Sequence, residues 1–397
     1  MLSVYDGFFS GGARIVHTDV LLGLREGGQH HRVLSVHQEV HRETTRQRME
    51  DDACYGALTE AGVTVSSLGR TYGPGSDPAT FSGPELAETA RSMAEADVVL
   101  SLKEQPLGLL NQAGLPRRPV VVCLHRSDPE NQGPALDDLK AAIADGTVAA
   151  CVCCAESTRA AYERAGIPAG LLHVIPNGVD LLRFRPDPAR RLAFRTVLGI
   201  PDTAPVVVFA ARYDGMKNVP LFLRAAREWL RHEPEGHVLM CGAGMTGAEA
   251  NPALDADIEV AFGTERSLTA GRLHRLGVRR DMETVYAGSD VVALTSSWGE
   301  AAPLCLIEGM MCGAVPVATD VGDTAAIVAG HGILTAQDPA TIARAWTDAV
   351  ASRADFAPAL TASRERFSRT RMIASYAALI DRVHTGSATR PTLPEPL

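Results

Sequence analysis

Residues 291–319 read VVALTSSWGEAAPLCLIEGMMCGAVPVAT, and the pattern of this stretch recurs along the whole chain. It begins and ends with short apolar runs rich in β-branched residues, which are typical of buried parallel strands. Between these runs, Leu304, Ile307 and Met311 recur at the spacing of one helix face. A strand, a helix and a second strand in this order predict a β-α-β unit with parallel strands.

The same alternation extends outward in both directions. The first half runs from a strand at Leu2–Tyr5 to a strand at Leu172–Ile175, and the second half begins with a strand at Val206–Ala211. Between strands we predict, among other elements, a polar helical stretch after Val36 that continues to Ala61, and a strand at Ile258–Phe262. The rhythm predicts an α/β fold with doubly wound parallel sheets.

Pro186 and Pro188 interrupt the alternation within a charged stretch, which favours a domain boundary there. The sequence therefore predicts two Rossmann-like domains, residues 1–185 and 186–369, that face a central cleft. A ligand is expected in that cleft, at the C-terminal ends of the strands. A last helix within about residues 370–390 is expected to pack back onto the first domain.

Composition excludes several classes of protein. The 397 residues are 46% hydrophobic, which is incompatible with general disorder, and two or three domains are expected from this length. The net charge is −9 and only 5% of residues are aromatic, so a nucleic-acid partner is not expected. We predict neither a signal peptide nor stable membrane insertion, and expect a cytoplasmic protein. The eight cysteines, including Cys151, Cys153 and Cys154, are interpreted as buried thiols.

Glu300 and Glu308 are the most informative charged residues in the opening stretch. Two glutamates eight positions apart are usually solvated helix residues. Here, however, Glu300 ends a loop after a buried strand, and Glu308 lies in the helix that follows. The free N–H groups at the start of such a helix attract anions, so the loop is a candidate ligand site.

Several motifs in this order resemble the retaining sugar-nucleotide glycosyltransferases of family four, which have the GT-B fold. The E-x7-E pair of Glu300 and Glu308 is one of them, and the resemblance extends over almost the whole chain. The other segments that carry it are GGA at 11–13, VIPNGVD at 174–180 with Phe184, ARYDGMKN at 211–218, DVVALTS at 290–296 and AVPVATDVGD at 314–323.

The resemblance implies roles for the residues of the donor site. Glu308 corresponds to the glutamate that accepts hydrogen bonds from the donor ribose, and Glu300 to a residue that contacts the donor sugar. The backbone amides that correspond to contacts with the sugar and the diphosphate are those of Ala301, Ala302, Leu304 and Cys305. Relatives often have Gly-Phe-Gly after the first glutamate, and here Pro303 has no N–H to donate.

Arg212 and Lys217 are two cations on a strand-to-helix loop, where ordinary surface cations are also common. The resemblance implies that they clamp the diphosphate and offset the charge that develops on the leaving group. It also implies that the Gly12 amide contacts the diphosphate and that His125, directly after a buried strand, contacts the donor sugar or the reaction centre. The catalytic residues predicted are thus His125, Glu300, Arg212 and Lys217.

Residues of the acceptor side are predicted more loosely. Arg14 stands where many relatives have glutamate, and Arg126 and Asp128 follow His125 in what is either an acceptor pocket or an ordinary loop. No metal site is predicted. Asp255 and Asp257 form a D-x-D pattern, which we interpret as solvated acids in a loop before the strand predicted at Ile258–Phe262. Gly242 and Gly244 follow a strand but lack the third glycine of a dinucleotide site.

The resemblance implies transfer of a sugar from a UDP- or GDP-type nucleoside-diphosphate sugar to an acceptor hydroxyl, with no cofactor. The donor is expected mainly on the C-terminal domain, and the acceptor, a small molecule or a glycan, on the N-terminal one. The mixed charges of residues 41–58 form a poor lipid surface, which favours a soluble acceptor such as a natural-product intermediate. The alternatives are a nucleotide-sugar epimerase, a glycan-extending synthase or a non-catalytic sugar-nucleotide-binding protein. The sequence leaves the donor base, the sugar, the acceptor and the oligomeric state open.

Overall fold

The structure is a computed structural model that describes residues 1–9, 11–42, 45–73, 80–246 and 251–386. The chain divides into two compact units, one of Met1–Asn177 together with the segment from Arg369 onward, and one of Gly178–Ser368. The first unit ends at Asn177 and not at residue 185, because the segment after Asn177 bonds to the second unit. Val179 N–H donates to Phe367 O at 2.8 Å, and the Arg364 guanidinium donates to the carbonyl of Phe184 at 3.1 Å.

The first unit is built on a largely parallel sheet. Its strands are β1 (Leu2–Gly7), β2 (Arg32–Arg42), β3 (Thr45–Arg48), β4 (Thr64–Tyr72), β5 (Val99–Leu102), β6 (Val120–Leu124), β7 (Val148–Cys153) and β8 (Leu172–Val174). Its helices are α1 (Gly12–Glu26), α2 (Ala53–Glu60), α3 (Gly83–Ala94), α4 (Leu107–Leu110), α5 (Ala135–Ala144) and α6 (Glu156–Arg164), joined at the end of the chain by α15 (Arg369–His384).

The order of the strands places a switch point beside β1. The sheet order is β3-β2-β1-β5-β6-β7-β8, with β4 paired to β2. The chain therefore leaves β1 toward β2 and later resumes on its other side at β5, which pairs with β1 in parallel. Helix α15 contacts α1, and its Tyr376 hydroxyl lies 3.8 Å from the Cys123 sulfur in β6. Buried aliphatic residues of the strands, such as Val4, Leu100 and Val122, belong to the hydrophobic core of this unit.

The helical stretch predicted after Val36 is wrong for most of its length. Strand β2 continues to Arg42 and pairs with β3 in an antiparallel hairpin, so that in the described part of this stretch the helical elements are a short 3-10 helix at Met49–Asp51 and α2. Val36 and Val40 are both buried and lie four positions apart, a spacing that fits either one face of a helix or one face of a strand, which is why the strand was misinterpreted. Helix α2 begins where the Asp52 carboxylate accepts a hydrogen bond from Cys54 N–H at 2.9 Å. Glu43, within the stretch considered as a lipid surface, lies outside the described residues.

The second unit is a parallel sheet with the order β11-β10-β9-β12-β13-β14. Its strands are β9 (Val206–Ala210), β10 (His237–Cys241), β11 (Leu273–Gly277), β12 (Val291–Leu294), β13 (Val315–Thr319) and β14 (Ile333–Thr335). Its helices are α7 (Pro188–Leu198), α8 (Val219–His232), α9 (Pro252–Phe262), α10 (Met282–Ala287), α11 (Leu304–Met311), α12 (Thr324–Val328), α13 (Pro339–Ala351) and α14 (Arg353–Ala362). Here β10 and β12 flank β9, so the switch point lies between β9 and β12.

The strand predicted at Ile258–Phe262 is wrong, because these residues end helix α9. Asn251 caps that helix by accepting from Ala253 N–H at 3.0 Å, and Pro252 occupies its first turn. Leu254, Ala261 and Phe262 are its buried residues, which is helical spacing, whereas Val260 is 78% exposed. The strand of this region is β11, which the sequence analysis did not identify. Among the described helices, none is long and apolar enough to cross a bilayer.

Candidate active site

The loops after β9 and β12 bring Lys217 and Glu300 together at the switch point of the second unit. The Lys217 ammonium donates a hydrogen bond to Oε1 of Glu300. Ser296 Oγ donates to the same oxygen at 2.5 Å, and Glu300 is only 5% exposed. Hydrogen bonds from an ammonium and a hydroxyl to the same oxygen fix the orientation of this buried side chain.

A second set of bonds ties these two loops to each other. Asn218 adopts the left-handed conformation, with φ of 50°, and its amide donates to Ser297 Oγ at 2.8 Å. Ser297 N–H donates to Met216 O at 2.9 Å, and Thr295 Oγ1 donates to Lys217 O at 3.1 Å. The cation-bearing loop and the glutamate-bearing loop therefore form one assembly.

Arg212 lies on the same loop as Lys217, and its side chain contacts Asp214. Its guanidinium is half-buried and lies 3.4 Å from Oδ2 of Asp214. Asp214 also accepts from Met216 N–H at 2.9 Å, which shapes the short turn that ends at Lys217. Arg212 and Lys217 thus lie within one short loop, in an arrangement able to hold a doubly charged anion.

Helix α11 begins directly after Glu300. Ala301 and Ala302 precede the helix, and Leu304 and Cys305 are its first residues. Pro303 occupies the N-cap position, and its side chain makes no hydrogen bond to the first amides of the helix. Because the N–H that Pro303 lacks lies before the helix, the amides of Leu304 and Cys305 at its start are still present, as expected from the sequence.

Glu308 lies one turn further along α11, half-buried beside the buried Tyr286. Burial raises the pKa of the Tyr286 phenol well above its usual value, and the neighbouring Glu308 carboxylate raises it further. The pKa of the Cys305 thiol is raised to about 12, mainly by burial, against the opposing effect of Lys217. Both groups therefore stay protonated, and the side-chain oxygens of Glu308 can accept hydrogen bonds on this helix.

The loop after β13 supports the Glu300 backbone from the other side. Gly322 has φ of +62°, and a Cβ placed there would lie 1.9 Å from the carbonyl oxygen of Glu300. Asp323 N–H donates to Ala301 O at 3.1 Å. Only a glycine allows this approach of two backbones.

In the first unit, Gly12 follows β1 and His125 follows β6, two parallel strands that both pair with β5. Gly12 is the exposed first residue of α1, whose start has no capping side chain in the described chain. His125 follows β6 and is half-buried. Burial lowers the pKa of His125 to about 3, and the Lys103 ammonium contributes to the shift. His125 is therefore a neutral imidazole, which suits a hydrogen bond to a sugar hydroxyl and does not supply a positive charge.

The residues predicted on the acceptor side occupy different surroundings. Arg14 is 4% exposed, donates to Phe9 O at 2.5 Å and lies over the Phe9 ring, 4.4 Å from its centroid. This placement makes Arg14 an interior cation that contacts the loop after β1, and its expected place on the acceptor side stays a prediction. Arg126 donates to both oxygens of Asp128, at 2.8 and 2.7 Å, so these two form a bidentate pair on the loop after β6.

The D-x-D pair and the glycine pair both have structural partners. Asp255 and Asp257 lie on α9 and not in a loop, and they accept from Arg275 at 2.7 Å and from the Tyr213 hydroxyl at 2.5 Å. Gly242 has φ of +134°, and a Cβ there would lie 1.9 Å from Ala211 O. No cluster of three or more His, Cys, Asp or Glu residues suited to a metal ion occurs in the described parts of the chain.

Sequence reasoning missed several residues that shape the site. Ser296, Asn218 and Gly322 lie inside the quoted motifs but were given no role. Their polar or glycine character after a strand end was the available signal. Lys103, which lies near His125, was also missed, and no motif marked it.

Comparisons with known proteins agree with this architecture. The family model described as Glycosyltransferase Family 4 matches residues 10–183, and the model described as Glycosyl transferases group 1 matches residues 204–352. A D-inositol 3-phosphate glycosyltransferase of Nocardia farcinica is 31% identical over 58% of this chain and 49% of its own length. That of Xylanimonas cellulosilytica is 29% identical over 60% of this chain and 57% of its own length. The chain thus spans about half the length of the curated relatives it matches.

Solved structures show the fold. Anabaena Alr3699/HepE in complex with UDP aligns with a TM-score of 0.75 at 20% identity, covering 96% of this chain and 99% of that one. Sucrose-phosphate synthase of Thermosynechococcus elongatus aligns with a TM-score of 0.68 at 18% identity, covering 97% and 99%. With the two family models covering most of its length, the chain belongs to the family 4, or group 1, glycosyltransferases and has the two-Rossmann GT-B fold.

Proposed function

We propose that this protein is a retaining glycosyltransferase that moves a sugar from a nucleoside-diphosphate sugar to a hydroxyl of a small acceptor. The observation that carries the proposal is the pairing of Lys217 with Glu300 at the switch point of the second unit, beside Arg212 and the start of α11. Parallel sheets bind ligands at this place, and the charges there suit a diphosphate next to a polyhydroxylated sugar.

Each group has a distinct task in this proposal. Arg212 and Lys217 hold the diphosphate and stabilise the charge that develops on it as it leaves. Glu308 accepts hydrogen bonds from two vicinal ribose hydroxyls, which a carboxylate can do at once. Glu300 orients the donor sugar. The roles expected for Gly12 and His125, at the diphosphate and the sugar, remain predictions.

The proposed step is substitution on one face of the sugar. The bond between the anomeric carbon and the phosphate oxygen breaks, a bond to the acceptor oxygen forms on the same face, and the acceptor proton passes to the leaving phosphate. Glu300 is disfavoured as a nucleophile because its Oε1 already accepts from Lys217 and Ser296. We propose that the two cations serve in place of a metal ion and that no cofactor takes part.

The relatives indicate which ligands to test first. The Anabaena structures are complexes with UDP and with UDP-glucose. The relatives of Nocardia farcinica and Xylanimonas cellulosilytica are named D-inositol 3-phosphate glycosyltransferases. UDP and inositol phosphate are therefore the first donor nucleotide and the first acceptor to examine.

The deciding measurement is the thermal stability of the protein with UDP, GDP, ADP, dTDP or NAD, with and without EDTA. A ligand at 100 times its dissociation constant adds about 2.7 kcal/mol of stability. We expect one nucleoside diphosphate to raise the melting temperature independently of EDTA, and Glu308→Ala to abolish the shift. Glu235→Ala, an exposed residue in the turn after α8, is the matched control. A shift with NAD alone, or with no nucleotide, would contradict the proposal.

The stereochemistry needs a measurement of its own. NMR of the product formed from UDP-glucose should show that the transferred sugar has the same anomeric configuration in the product as in the donor. Inversion at the anomeric carbon would exclude the retaining mechanism and leave the transferase activity standing.

A further inference from the structure

Helix α7 turns its charged residues toward the interior of the second unit. Arg191 and Arg195 donate to the two oxygens of Asp290, each at 2.8 Å, and Arg195 is fully buried. Phe194 is buried on the same side, where a Cβ added to Gly288 would lie 2.3 Å from its ring. Ion pairs and close packing therefore fix the inward face of this helix.

The outward face of α7 carries no charge. The structure describes this helix over its whole length, and we call its exposed residues the α7 stripe: Pro188, Ala189, Leu192, Ala193, Thr196 and Val197. Steps of three and four positions place them on one continuous helix face. Leu192 is 55% exposed and Val197 is 83% exposed. The Thr196 hydroxyl donates to Leu192 O at 2.8 Å, so it needs no partner outside the helix.

This distribution is the reverse of the usual one. A surface helix normally packs its apolar face on the core and presents charged residues to water. Single exposed apolar residues are ordinary, whereas a continuous uncharged face indicates an interaction surface. A lipid surface is a poor occupant, because the α7 stripe has neither the cations nor the aromatic residues that bind lipid headgroups.

The α7 stripe is complementary to itself. Two copies fit when their helices run antiparallel about a two-fold axis between Leu192 and Ala193. Leu192 of each copy then faces Ala193 of the other, and Ala189 faces Thr196, so that a larger residue meets a smaller one at each level. Alanines four positions apart let the two backbones approach closely.

The charges that flank the stripe favour the same arrangement. Arg185 is exposed before the helix begins, and Asp202, whose side chain is 64% exposed, follows its end. Antiparallel pairing brings the basic start of one helix to the acidic end of the other, whereas parallel pairing would bring like charges together. The two helix dipoles also oppose each other in the antiparallel pair.

We propose that α7 is a self-association surface, on which two copies of this chain pair antiparallel about a two-fold axis. The helix is about 16 Å long, so its stripe buries less than the roughly 800 Å² per partner of a standard interface. The dimer is therefore weak, and its population rises with protein concentration.

Pairing through α7 leaves the candidate active site accessible. The helix is anchored to Asp290, which precedes β12, whereas the loop that carries Glu300 follows β12. The two features thus lie at opposite ends of one strand. Variants of the α7 stripe should accordingly keep the response to UDP, so that self-association and the proposed function are tested separately.

The experiment is sedimentation velocity of the full chain at concentrations from about 1 to about 300 µM, where a weak dimer changes its population. We expect the weight-average mass to rise from that of the monomer toward twice that value. Val197→Glu should stay monomeric throughout this range, because it places a charge within the apolar interface. Val260→Glu, at a position on α9 that is 78% exposed, is the matched control and should associate as wild type does. Equal melting temperatures would show that both variants are folded.

A charge exchange tests the antiparallel register. Ala189→Glu and Thr196→Lys should each weaken the dimer about tenfold or more when made alone, since each places an unpaired charge at the interface. Combined in one chain, they should restore association, because each glutamate then meets the lysine of the second copy. An acid near the start of a helix and a base near its end also suit the helix dipole, so the fold is retained. Ala189→Lys combined with Thr196→Lys should stay monomeric.

Three results would overturn the proposal. The first is a monomer mass at every concentration. The second is association that Val197→Glu leaves undiminished, which would place the interface elsewhere on the chain. The third is a failure of the combined Ala189→Glu and Thr196→Lys variant to associate better than either single variant, which would exclude the antiparallel pairing. Loss of the proposed function would appear instead as an absent UDP effect on the melting temperature, whatever the state of association.

Discussion

The ammonium of Lys217 and the carboxylate of Glu300 form one ion pair, although 82 residues separate them in the chain. Both side chains are mostly withdrawn from solvent, with 16% and 7% of their surface exposed. Ser296 bonds the same carboxylate oxygen, and Thr295 bonds the backbone of Lys217. The pair therefore holds the two strand-end loops together as well as carrying charge for a ligand.

Lys217→Met should destabilise the second unit by about 3 kcal/mol, because it leaves a buried carboxylate without its counter-charge. Urea unfolding measures the change, with tryptophan fluorescence as the signal. The double variant Lys217→Met with Glu300→Gln should recover part of the loss, since no unpaired charge remains. Arg224→Met, at an exposed position of α8, should stay within about 0.5 kcal/mol of wild type. Equal effects of the two cation variants would show that the ion pair does not stabilise the unit.

Gly322→Ala should displace the Glu300 loop, because the added Cβ would lie 1.9 Å from the Glu300 carbonyl oxygen. We expect loss of the UDP-induced thermal shift together with a lower melting temperature. Gly330→Ala is the matched control, since Gly330 also has positive φ, at +74°, but nothing lies within 4 Å of the added carbon. That variant should cost about 1 kcal/mol of strain and keep the nucleotide response. An unaltered UDP response in Gly322→Ala would show that the loop does not position the donor.

The sequence predicted the fold from local patterns, and its errors have local causes. Buried parallel strands such as β6 and β12 are continuous apolar runs that few other elements imitate. The part of strand β2 after Val36 and helix α9 were assigned wrongly because partial alternation fits either periodicity over a few residues. In α9 the cap formed by Asn251 and Pro252 decided the outcome, and that signal precedes the apolar run.

The charged residues of the site were named from motifs, but their partners could not be. That Lys217 meets Glu300 depends on β9 pairing with β12, a contact between distant segments. Arg14 illustrates the opposite case, since its charge suggested a ligand contact while the fold buries it against Phe9. Lys103 belongs to no motif and is distinguished only by its backbone conformation and its place at a strand end.

Asp290→Asn should destabilise the second unit by about 3–5 kcal/mol, because one buried carboxylate compensates three guanidinium groups. Asp290 accepts from Arg191 at 2.8 Å, from Arg195 at 2.8 Å and from Arg353 at 2.9 Å. Removing its charge leaves the fully buried Arg195 beside two further cations. Unfolding in urea gives the magnitude. Asp202→Asn, whose exposed carboxylate lies 3.7 Å from Arg191, should change stability by less than about 0.5 kcal/mol. Comparable losses in both variants would mean that burial of Asp290 is not the cause.

His125 should make the stability of the first unit sensitive to acid. The pKa of His125 is lowered by burial, with a further effect of Lys103, to about 3 in the folded protein, and it lies near 6.5 in an unfolded chain. The folded state therefore binds fewer protons than the unfolded state between these values. The contribution of His125 to the free energy of unfolding is therefore complete above about pH 6.5 and is lost progressively as the pH falls toward 3.

Replacing His125 tests both the pH dependence of stability and the proposal that His125 is neutral during the reaction. The melting temperature of His125→Asn should fall less steeply than that of wild type between pH 7 and 4, whereas His30→Asn, at an exposed position of the same unit, should keep the wild-type slope. His17 faces His125 and also has a lowered pKa, chiefly from burial, so part of the slope should persist in the variant. Because His125 is neutral throughout this range, His125→Asn should lower kcat without moving any inflection of the pH–rate profile. An inflection near pH 6 that disappears with His125 would show a protonated imidazole at the reacting sugar and contradict its assignment as a neutral hydrogen-bonding group.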